Sequence, residues 1–332
     1  EPTGRKVAVI GAGPAGLACS LALASAGEAV TVYDSSPEPG GVMRYGIPSY
    51  RLPREALDRE IDWILSSGVQ FVPNTEVGRD VDMADLIREH DAVFIGAGLG
   101  EPESPNIPGA DAPGVISAYS FLRAAGEPDE NARRQAVREV IAQPLGQVVV
   151  LGGGNVAVDA ACTALRMGAE SVTIAYRRTR SEMPAWAEEV EFAEEEGVKL
   201  VFLLSPAEVL QADGKVRGVR MTRMRLAEDD ASGRPRPAPS GEPDETIKAD
   251  TVVLAFGQAP NESVFGSLPS LARSESGMIA IDAETGATSV AGVFAGGDAV
   301  NGGTTVVQAV SEGLRAAEGI RAYLDSVTPA RD

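Results

Sequence analysis

The chain has 332 residues, with 29 Lys or Arg and 48 Asp or Glu, for a formal net charge of −19. This length suggests about two domains with cores large enough to need no disulfide or structural metal. The charge argues against nucleic acid or anionic membranes as partners. No apolar run reaches the roughly 18 residues of a membrane-spanning helix and no signal peptide is evident, so we expect a cytoplasmic protein. Two cysteines and one histidine are too few for an iron–sulfur cluster or a histidine-based zinc site.

The N-terminus carries a strand–turn–helix–strand pattern. Residues 7–10 (VAVI) predict a buried strand, residues 11–16 (GAGPAG) a glycine turn, and an alanine-rich helix follows as far as Gly27. A second strand over residues 30–33 ends at Asp34. In a GxGxxG turn the first glycine permits a tight turn, the second lets a pyrophosphate approach the backbone, and the third lets helix pack on strand. The acid after the second strand can accept hydrogen bonds from a ribose, whereas a turn chosen for packing alone is the alternative.

The same pattern recurs in the middle of the chain. Residues 148–151 (VVVL) predict a strand, residues 152–157 (GGGNVA) a GxGxxA turn, and the distance from Gly152 to Gly168 equals that from Gly11 to Gly27. In each half a helix and a strand then follow, predicted over 55–65 and 69–72 and over 185–196 and 198–203. The first half is longer, and most of its excess is the Gly40–Pro53 loop.

The second pattern differs at the position of the acid. Tyr176 stands where the first unit has Asp34, and Arg177 and Arg178 follow directly. Loss of the acid removes the partner of a free ribose 2′-OH, while arginines can hold a 2′-phosphate by paired hydrogen bonds, which favours NADP over NAD. The alternative is that these are surface arginines facing the acidic stretch 188–196.

The remaining chain contains a predicted meander and two further buried strands. We expect strands over 207–211 and 216–226, a surface loop over 227–243, buried strands over 251–256 and 293–295 and a helix from Thr305 towards Leu324. The last strand leads into Gly296-Gly297-Asp298. Asp298 could bond a ribityl hydroxyl or simply cap the next turn, and the N–H groups of residues 305–308 could face the electron-rich edge of a flavin.

Two different glycine turns predict two different dinucleotides. We expect an α/β protein with two Rossmann-like dinucleotide-binding domains, with FAD in the first unit and a nicotinamide nucleotide in the second.

Two stretches resemble the signatures of a known family. Residues 44–53 (RYGIPSYRLP) and 176–185 (YRRTRSEMPA) are similar to those of the glutamate synthase small subunit. They also resemble the equivalent domains of dihydropyrimidine dehydrogenase and of NADPH-binding ferredoxin transhydrogenase subunits. The resemblance runs from about Arg5 to Tyr323 and implies that hydride passes from NADPH to FAD. It further implies that the NADP domain is inserted into the FAD domain, so we expect an FAD domain over residues 1–115 and 262–332 and an NAD(P)H domain over residues 116–261. It also implies that the Gly40–Pro53 loop contacts the flavin.

The candidate cofactor residues follow from the turns and this resemblance, which also puts Asn155 and Asp159 near the nicotinamide. For FAD they are Gly11, Gly13, Pro14, Ala15, Gly16, Asp34, Gly41, Arg44, Ile47, Ala97, Gly98, Gly297, Asp298, Thr305 and Val306. For NADPH they are Gly152, Gly154, Asn155, Val156, Asp159, Arg177, Arg178 and Gly257. No catalytic side chain and no metal ligand is expected, because hydride passes directly between cofactors.

The resemblance also raises the question of the electron acceptor. Members of this family carry an N-terminal cysteine-rich domain with iron–sulfur clusters, and this chain starts where that domain would end. Cys19 and Cys162 lie on the first helices of different units without a CxxC pair, which argues against disulfide reduction. We therefore expect electrons to pass to a partner iron–sulfur protein or subunit. The alternatives are a self-contained oxidase or reductase using oxygen, quinone or a small molecule, and a non-catalytic subunit that only holds FAD.

Overall fold

The structure is a computed structural model that describes residues 2–102, 106–127, 129–229 and 235–327. The strands are β1 (Lys6–Ile10), β2 (Ala29–Tyr33), β3 (Gln70–Val72), β4 (Ala92–Ile95), β5 (Leu99–Pro102), β6 (Val115–Ser117), β7 (Gln147–Leu151), β8 (Ser171–Tyr176), β9 (Lys199–Phe202), β10 (Leu204–Ala212), β11 (Lys215–Asp229), β12 (Pro235–Pro239), β13 (Glu245–Lys248), β14 (Thr251–Leu254), β15 (Gln258–Pro260) and β16 (Val293–Ala295). The helices are α1 (Pro14–Ser25), α2 (Val42–Tyr45), α3 (Arg54–Ser66), α4 (Met83–Glu89), α5 (Ala118–Ala125), α6 (Glu130–Ile141), α7 (Asn155–Arg166), α8 (Ala187–Glu195), α9 (Glu262–Gly266), α10 (Asp298–Asn301) and α11 (Val306–Val327), with a 3₁₀ turn at Arg180–Glu182.

The first compact unit contains the N-terminal and C-terminal parts of the chain. It comprises Glu1–Arg44, Ser49–Glu101 and Gln258–Asp332, and its main sheet has the strand order β16-β4-β1-β2-β3 with every pairing parallel. Alternate residues of β1 point into two different apolar clusters, one with α1 and α11 and the other with α4 and α9. A parallel sheet covered on both faces explains why this strand is continuously apolar.

The second compact unit repeats this arrangement. It comprises Tyr45–Pro48 and Pro102–Gly257, and its parallel sheet has the order β6-β14-β7-β8-β9. One face of β7 packs on α7 and α5, and the other packs on β10 and β11. The expected α/β class with two Rossmann-like units is therefore confirmed. The units change at 101/102 and 257/258, where the sequence predicts 115/116 and 261/262, and the chain also enters the second unit at Tyr45–Pro48.

The predicted surface loop over 227–243 is wrong for residues 227–229 and 235–239, which belong to strands, whereas residues 240–243 form neither helix nor strand, as predicted. Strand β11 continues to Asp229, and β12 pairs with it, with Arg225 opposite Ala238 and Leu226 opposite Pro237. Residues 230–234 of the predicted loop lie outside the described residues. The prolines that suggested a loop occupy every second position of β12, at one end of the strand order β10-β11-β12. Because alternate residues direct their backbone nitrogens to the same side, the prolines of an edge strand cost no ladder hydrogen bond.

Candidate functional site

The first glycine turn has the geometry of a dinucleotide cradle. Gly11 follows β1 with φ +97°, and a Cβ on Gly16 would lie 1.9 Å from the carbonyl oxygen of Gly11. Gly13 is the N-cap of α1, Pro14 is the first residue of that helix, and no side chain caps it. The helix N-terminus, with the N–H groups of Ala15 and Gly16, can therefore receive an anion such as a pyrophosphate.

The segment before α2 lies directly over this turn. Gly40 donates its backbone N–H to the carbonyl oxygen of Ala12 at 2.8 Å, and a Cβ on Gly41 would lie 2.7 Å from the Cα of Gly13. Arg44 holds the segment in place, since its Nε donates to the carbonyl oxygen of Pro39 at 2.6 Å. Its guanidinium also pairs with Glu38 and Asp58. Arg44 thus shapes the cradle through contacts within the protein.

Asp34 binds the glycine turn itself. Its Oδ2 accepts a hydrogen bond from the backbone N–H of Ala12 at 2.7 Å, and its Oδ1 accepts one from Ser36 at 2.7 Å. Each carboxylate oxygen can accept a further hydrogen bond, so this side chain can hold the turn and a ribose together.

The C-terminal ends of β4 and β16 lie at the same end of the parallel sheet as Gly11. Ala97 and Gly98 follow β4, and Gly297, with φ +73°, precedes Asp298 after β16. A Cβ on Gly297 would lie 2.9 Å from the Cβ of Ala15, so these residues converge on the start of α1. Burial raises the pKa of Asp298, the charge of Glu312 adds to this effect, and a hydrogen bond from Thr304 opposes it.

The N-terminus of α11 completes the first candidate site. The Thr305 hydroxyl accepts a hydrogen bond from the backbone N–H of Gln308 at 3.2 Å. Val306 begins the helix, and the side chain of Val307 is 78% exposed. A helix N-terminus with apolar residues beside it suits a planar aromatic ring whose electron-rich edge faces the helix.

Sequence reasoning missed Glu312, which is buried on α11. Its Oε2 accepts a hydrogen bond from the backbone N–H of Gly297 at 2.7 Å. The available signal was an acid seven residues after Thr305 on a face otherwise made of small apolar residues, Ala309, Gly313 and Ala316, because charged residues are rarely buried without partners.

The second glycine turn repeats the geometry with different side chains. Gly152 has φ +149°, Gly154 is the N-cap of α7, and again no side chain caps the helix. Asn155 accepts a hydrogen bond on its Oδ1 from the backbone N–H of Trp186 at 3.0 Å. Val156 is half exposed, whereas Asp159 is buried. Gly257 follows β14 at the same edge with φ +108°.

Tyr176 contacts the second glycine turn as Asp34 contacts the first, but it does so with its ring, which the sequence pattern did not predict. A Cβ on Gly153 would lie 2.5 Å from Cδ2 of the Tyr176 ring, and the Tyr176 hydroxyl donates to the carbonyl oxygen of Glu182 at 2.8 Å. The first turn is thus held by a carboxylate at Ala12 and the second by an aromatic ring at Gly153.

The two candidate arginines differ in their surroundings. Arg178 is buried, and its Nε donates to the carbonyl oxygen of Pro235 on β12 at 2.8 Å. Arg177 is exposed and makes no hydrogen bond or ion pair within the described parts of the chain. The acidic stretch 188–196 is instead engaged by Arg180, which pairs with Glu194 at 2.7 Å. Arg177 is therefore available to a phosphate.

Ile47 lies in the short Tyr45–Pro48 segment that groups with the second unit. In this segment the ring of Tyr45 lies under the guanidinium of Arg123, 4.6 Å from the ring centroid. This cation–π contact ties the segment to α5.

The cysteines lie away from solvent. Cys19 and Cys162 are both fully buried, no disulfide joins described residues, and burial raises the pKa of the Cys19 thiol. Among the residues that the structure describes, no group of His, Cys, Asp and Glu could hold a metal ion, and no helix is long and apolar enough to cross a membrane.

Comparison with known proteins gives consistent results. The family model for pyridine nucleotide-disulphide oxidoreductases matches residues 5–313. The chain is 46% identical over 325 residues to the beta subunit of NADP(+)-dependent formate dehydrogenase from Moorella thermoacetica, covering 97% of this chain and 44% of that protein. It is 39% identical over 329 residues to the small chain of glutamate synthase [NADPH] from Escherichia coli strain K12, covering 98% of this chain and 70% of that protein.

Solved structures share the fold. FprA from Mycobacterium tuberculosis superimposes with a TM-score of 0.82 at 19% identity, covering 98% of this chain and 85% of that one. The chain thus spans less than half of the formate dehydrogenase subunit but most of FprA.

Proposed function

Because the chain belongs to the pyridine nucleotide-disulphide oxidoreductase family, and is accordingly an NADPH-dependent, FAD-containing oxidoreductase, we propose that it passes electrons from NADPH through FAD to a partner protein. The observation that carries the proposal is the pair of uncapped glycine turns with different neighbours, Asp34 at one and Tyr176 with Arg177 at the other. The bound cofactors supply the redox chemistry, since a nicotinamide donates a hydride that a flavin accepts.

The residues of the first unit fit an FAD. The N-terminus of α1 offers N–H groups to the pyrophosphate, and the close approach of Gly41 to Gly13 leaves no room there for larger residues. Asp34 would hold the adenosine ribose, while Asp298 would accept a hydrogen bond from the ribityl chain. The N-terminus of α11 would place its positive end against the flavin.

The residues of the second unit fit an NADPH. The start of α7 would hold the pyrophosphate, and Arg177 would bind the 2′-phosphate. Arg178 is committed to the carbonyl oxygen of Pro235, so in this proposal it places its neighbour rather than binding phosphate alone. Asn155 holds the backbone of Trp186 and thereby orders the segment beside the nicotinamide half of the site.

The proposed electron acceptor is an iron–sulfur protein or subunit. Support comes from the relatives, which are named as a beta subunit of a formate dehydrogenase and as a small chain of a glutamate synthase. The buried thiols of this chain offer no disulfide acceptor of their own. A location in the cytoplasm stays a prediction.

An anaerobic titration tests the proposal. The FAD-loaded chain is mixed with increasing NADPH, and separately with NADH, while the visible absorbance of the flavin is recorded. We expect NADPH to bleach the flavin at lower concentration than NADH does. A yellow protein that NADPH fails to bleach would contradict the proposal, and equal bleaching by NADH would remove the role given to Arg177.

A second measurement addresses the acceptor. Bleached protein is exposed to air, and NADPH consumption by the isolated chain is followed. We expect slow turnover in air and rapid turnover once the native complex is restored. Fast steady turnover by the isolated chain would favour a self-contained oxidase, and isolation of the chain with an iron–sulfur protein would support the partner.

A further inference from the structure

A buried carboxylate on α11 joins the segments expected to bind the flavin. Glu312 is 7% exposed, and its Oε2 accepts a hydrogen bond from the backbone N–H of Gly297 at 2.7 Å. Its Oε1 accepts one from Nε2 of Gln308 at 2.8 Å. The side-chain nitrogen of Asn301 lies 3.0 Å from Oε2 and 3.2 Å from Oε1. One side chain therefore contacts the turn after β16, α10 and the first turns of α11.

Every partner of this carboxylate is a donor. The orientation of the Asn301 amide follows from its own oxygen, which accepts the backbone N–H of Gly303 at 2.9 Å and so leaves the NH₂ group facing Glu312. The two oxygens of a carboxylate can accept all four of these contacts, because together they offer about four lone-pair sites. The site thus contains a buried negative charge fully surrounded by N–H groups.

The position of this charge is set by close packing between helices. Gly313, the next residue, approaches so closely that a Cβ would lie 2.2 Å from the carbonyl oxygen of Ala15 at the start of α1. Gly297 in turn approaches the side chain of Ala15. Burying a carboxylate among small apolar residues costs free energy unless hydrogen bonds compensate, and here those bonds all go to the turn and helix at the candidate flavin site.

We propose that Glu312 is a positioning residue for FAD. It fixes the backbone of Gly297 and, through Asn301, the turn at residues 302–304, so that Asp298 and the N-terminus of α11 present their hydrogen-bonding groups to the flavin nucleotide. This inference rests on the proposed binding of FAD to the first unit.

The test compares three variants in FAD binding to the apoprotein, measured by quenching of flavin fluorescence. Glu312→Gln keeps the size of the side chain but points an amide NH₂ at existing donors, and we expect at least tenfold weaker binding. Asn301→Ala removes the bridge from a half-buried position, and we expect about threefold weaker binding. Glu318→Gln makes the same chemical change on an exposed position of the same helix and should stay within twofold of the parent protein.

The double variant and the flavin potential separate positioning from general support of the fold. Both substitutions break the same group of hydrogen bonds around Glu312, so the double variant should bind FAD about as weakly as Glu312→Gln alone. At saturating FAD, the midpoint potential should become more positive in Glu312→Gln, because a nearby negative charge disfavours reduced flavin. It should be unchanged in Asn301→Ala, which removes no charge.

The outcomes are distinct. FAD affinity of Glu312→Gln within twofold of the parent, or an unchanged potential in that variant, would overturn the inference. If Glu312→Gln does not fold, Asn301→Ala decides, and parent-like FAD binding by it would overturn the inference equally. A parent protein that binds no FAD would instead contradict the proposed function.

Discussion

Adjacent arginines can have unlike roles when they lie on opposite sides of a strand end. Arg177 and Arg178 follow β8 directly, yet Arg177 is exposed while Arg178 is buried against β12. The guanidinium of Arg178 satisfies a backbone carbonyl, and removing it would leave a buried acceptor without its partner. In the proposed function, Arg177 is therefore the arginine whose removal should test the preference for NADPH over NADH without affecting the fold.

We expect Arg177→Ala to weaken NADPH binding by about 1.5–3 kcal/mol, the range for a hydrogen bond to a charged group, and to leave NADH binding unchanged. Arg217→Ala, which removes an exposed arginine on β11 of the same unit, is the control and should change neither. Titration calorimetry with both nucleotides measures the effect. Equal losses for NADPH and NADH would show that Arg177 does not read the 2′-phosphate.

The surroundings of Asp298 disfavour the ionised form of its carboxyl group. Burial, with the charge of Glu312, raises its pKa above the usual value for aspartate. A group whose pKa is higher in the folded protein stabilises the fold fully at pH below its unfolded pKa, and loses that contribution as pH rises through the folded pKa. The ionised Asp298 therefore destabilises the apoprotein at neutral pH.

We expect Asp298→Asn to raise the free energy of unfolding of the apoprotein at pH 7 by up to about 1 kcal/mol, allowing for solvent screening of this partly buried group. The gain should shrink as pH falls towards about 4, where aspartate itself is protonated. FAD binding should weaken, because an amide offers one acceptor fewer. Urea unfolding at both pH values checks this, and a variant less stable than the parent at pH 7 would contradict it.

The two glycine turns make the same backbone hydrogen bond to the neighbouring strand but are packed against different side chains. The N–H of Gly11 donates to the carbonyl oxygen of Tyr33, and that of Gly152 donates to Ala175 in the same way. The turns differ at the residue that follows this first glycine. Ala12 donates its backbone N–H to the carboxylate of Asp34, whereas Gly153 packs against the ring of Tyr176. The glycine at 153 is therefore required by packing. A Cβ on Gly154, in contrast, would have no atom of the described residues within 4 Å apart from those of its chain neighbours and its own helix.

This contrast makes a paired prediction. Gly153→Ala should lower the free energy of unfolding by about 1–3 kcal/mol, as for overpacking against the tyrosine ring. Gly154→Ala should change it by no more than about 0.5 kcal/mol, yet should weaken NADPH binding at least tenfold, because its Cβ would occupy the approach of the pyrophosphate. Thermal unfolding and nucleotide titration separate the two effects. Unchanged NADPH affinity in Gly154→Ala would contradict the placement of the nucleotide.

Considered as a whole, the chain keeps both of its thiols away from solvent. Cys19 lies on α1 and Cys162 on α7, and both are fully buried in the cores of their own units. The family name refers to disulphide reduction, but buried thiols, one of them with a raised pKa, are poor nucleophiles.

We expect neither thiol to react with iodoacetamide in the native chain over the time in which both react in the unfolded chain. Mass spectrometry of the labelled protein gives the number of modified cysteines. Labelling that appears only on addition of NADPH would contradict a path without thiols, because it would show a disulfide or a thiol opened by reduction.

Local patterns in the sequence were sufficient to predict the two strand–turn–helix–strand units, the fold class and the cofactors. Buried parallel strands need continuous apolar runs, and a glycine turn needs its glycines at fixed spacing, so both signals lie within about twenty residues of one another. The family resemblance of residues 44–53 and 176–185 extended this to NADPH and FAD.

Only the tertiary structure decided which side chains the turns and helices engage. The burial of Arg178 depends on a strand that begins at Pro235, the ring of Tyr176 covers Gly153, and Glu312 binds Gly297 from another helix. The pairing of β12 with β11 likewise depends on which part of β11 the strands β10 and β13 leave unpaired. Each of these contacts joins residues of different strands, helices or turns, so its geometry follows from the packing of whole elements rather than from any local pattern.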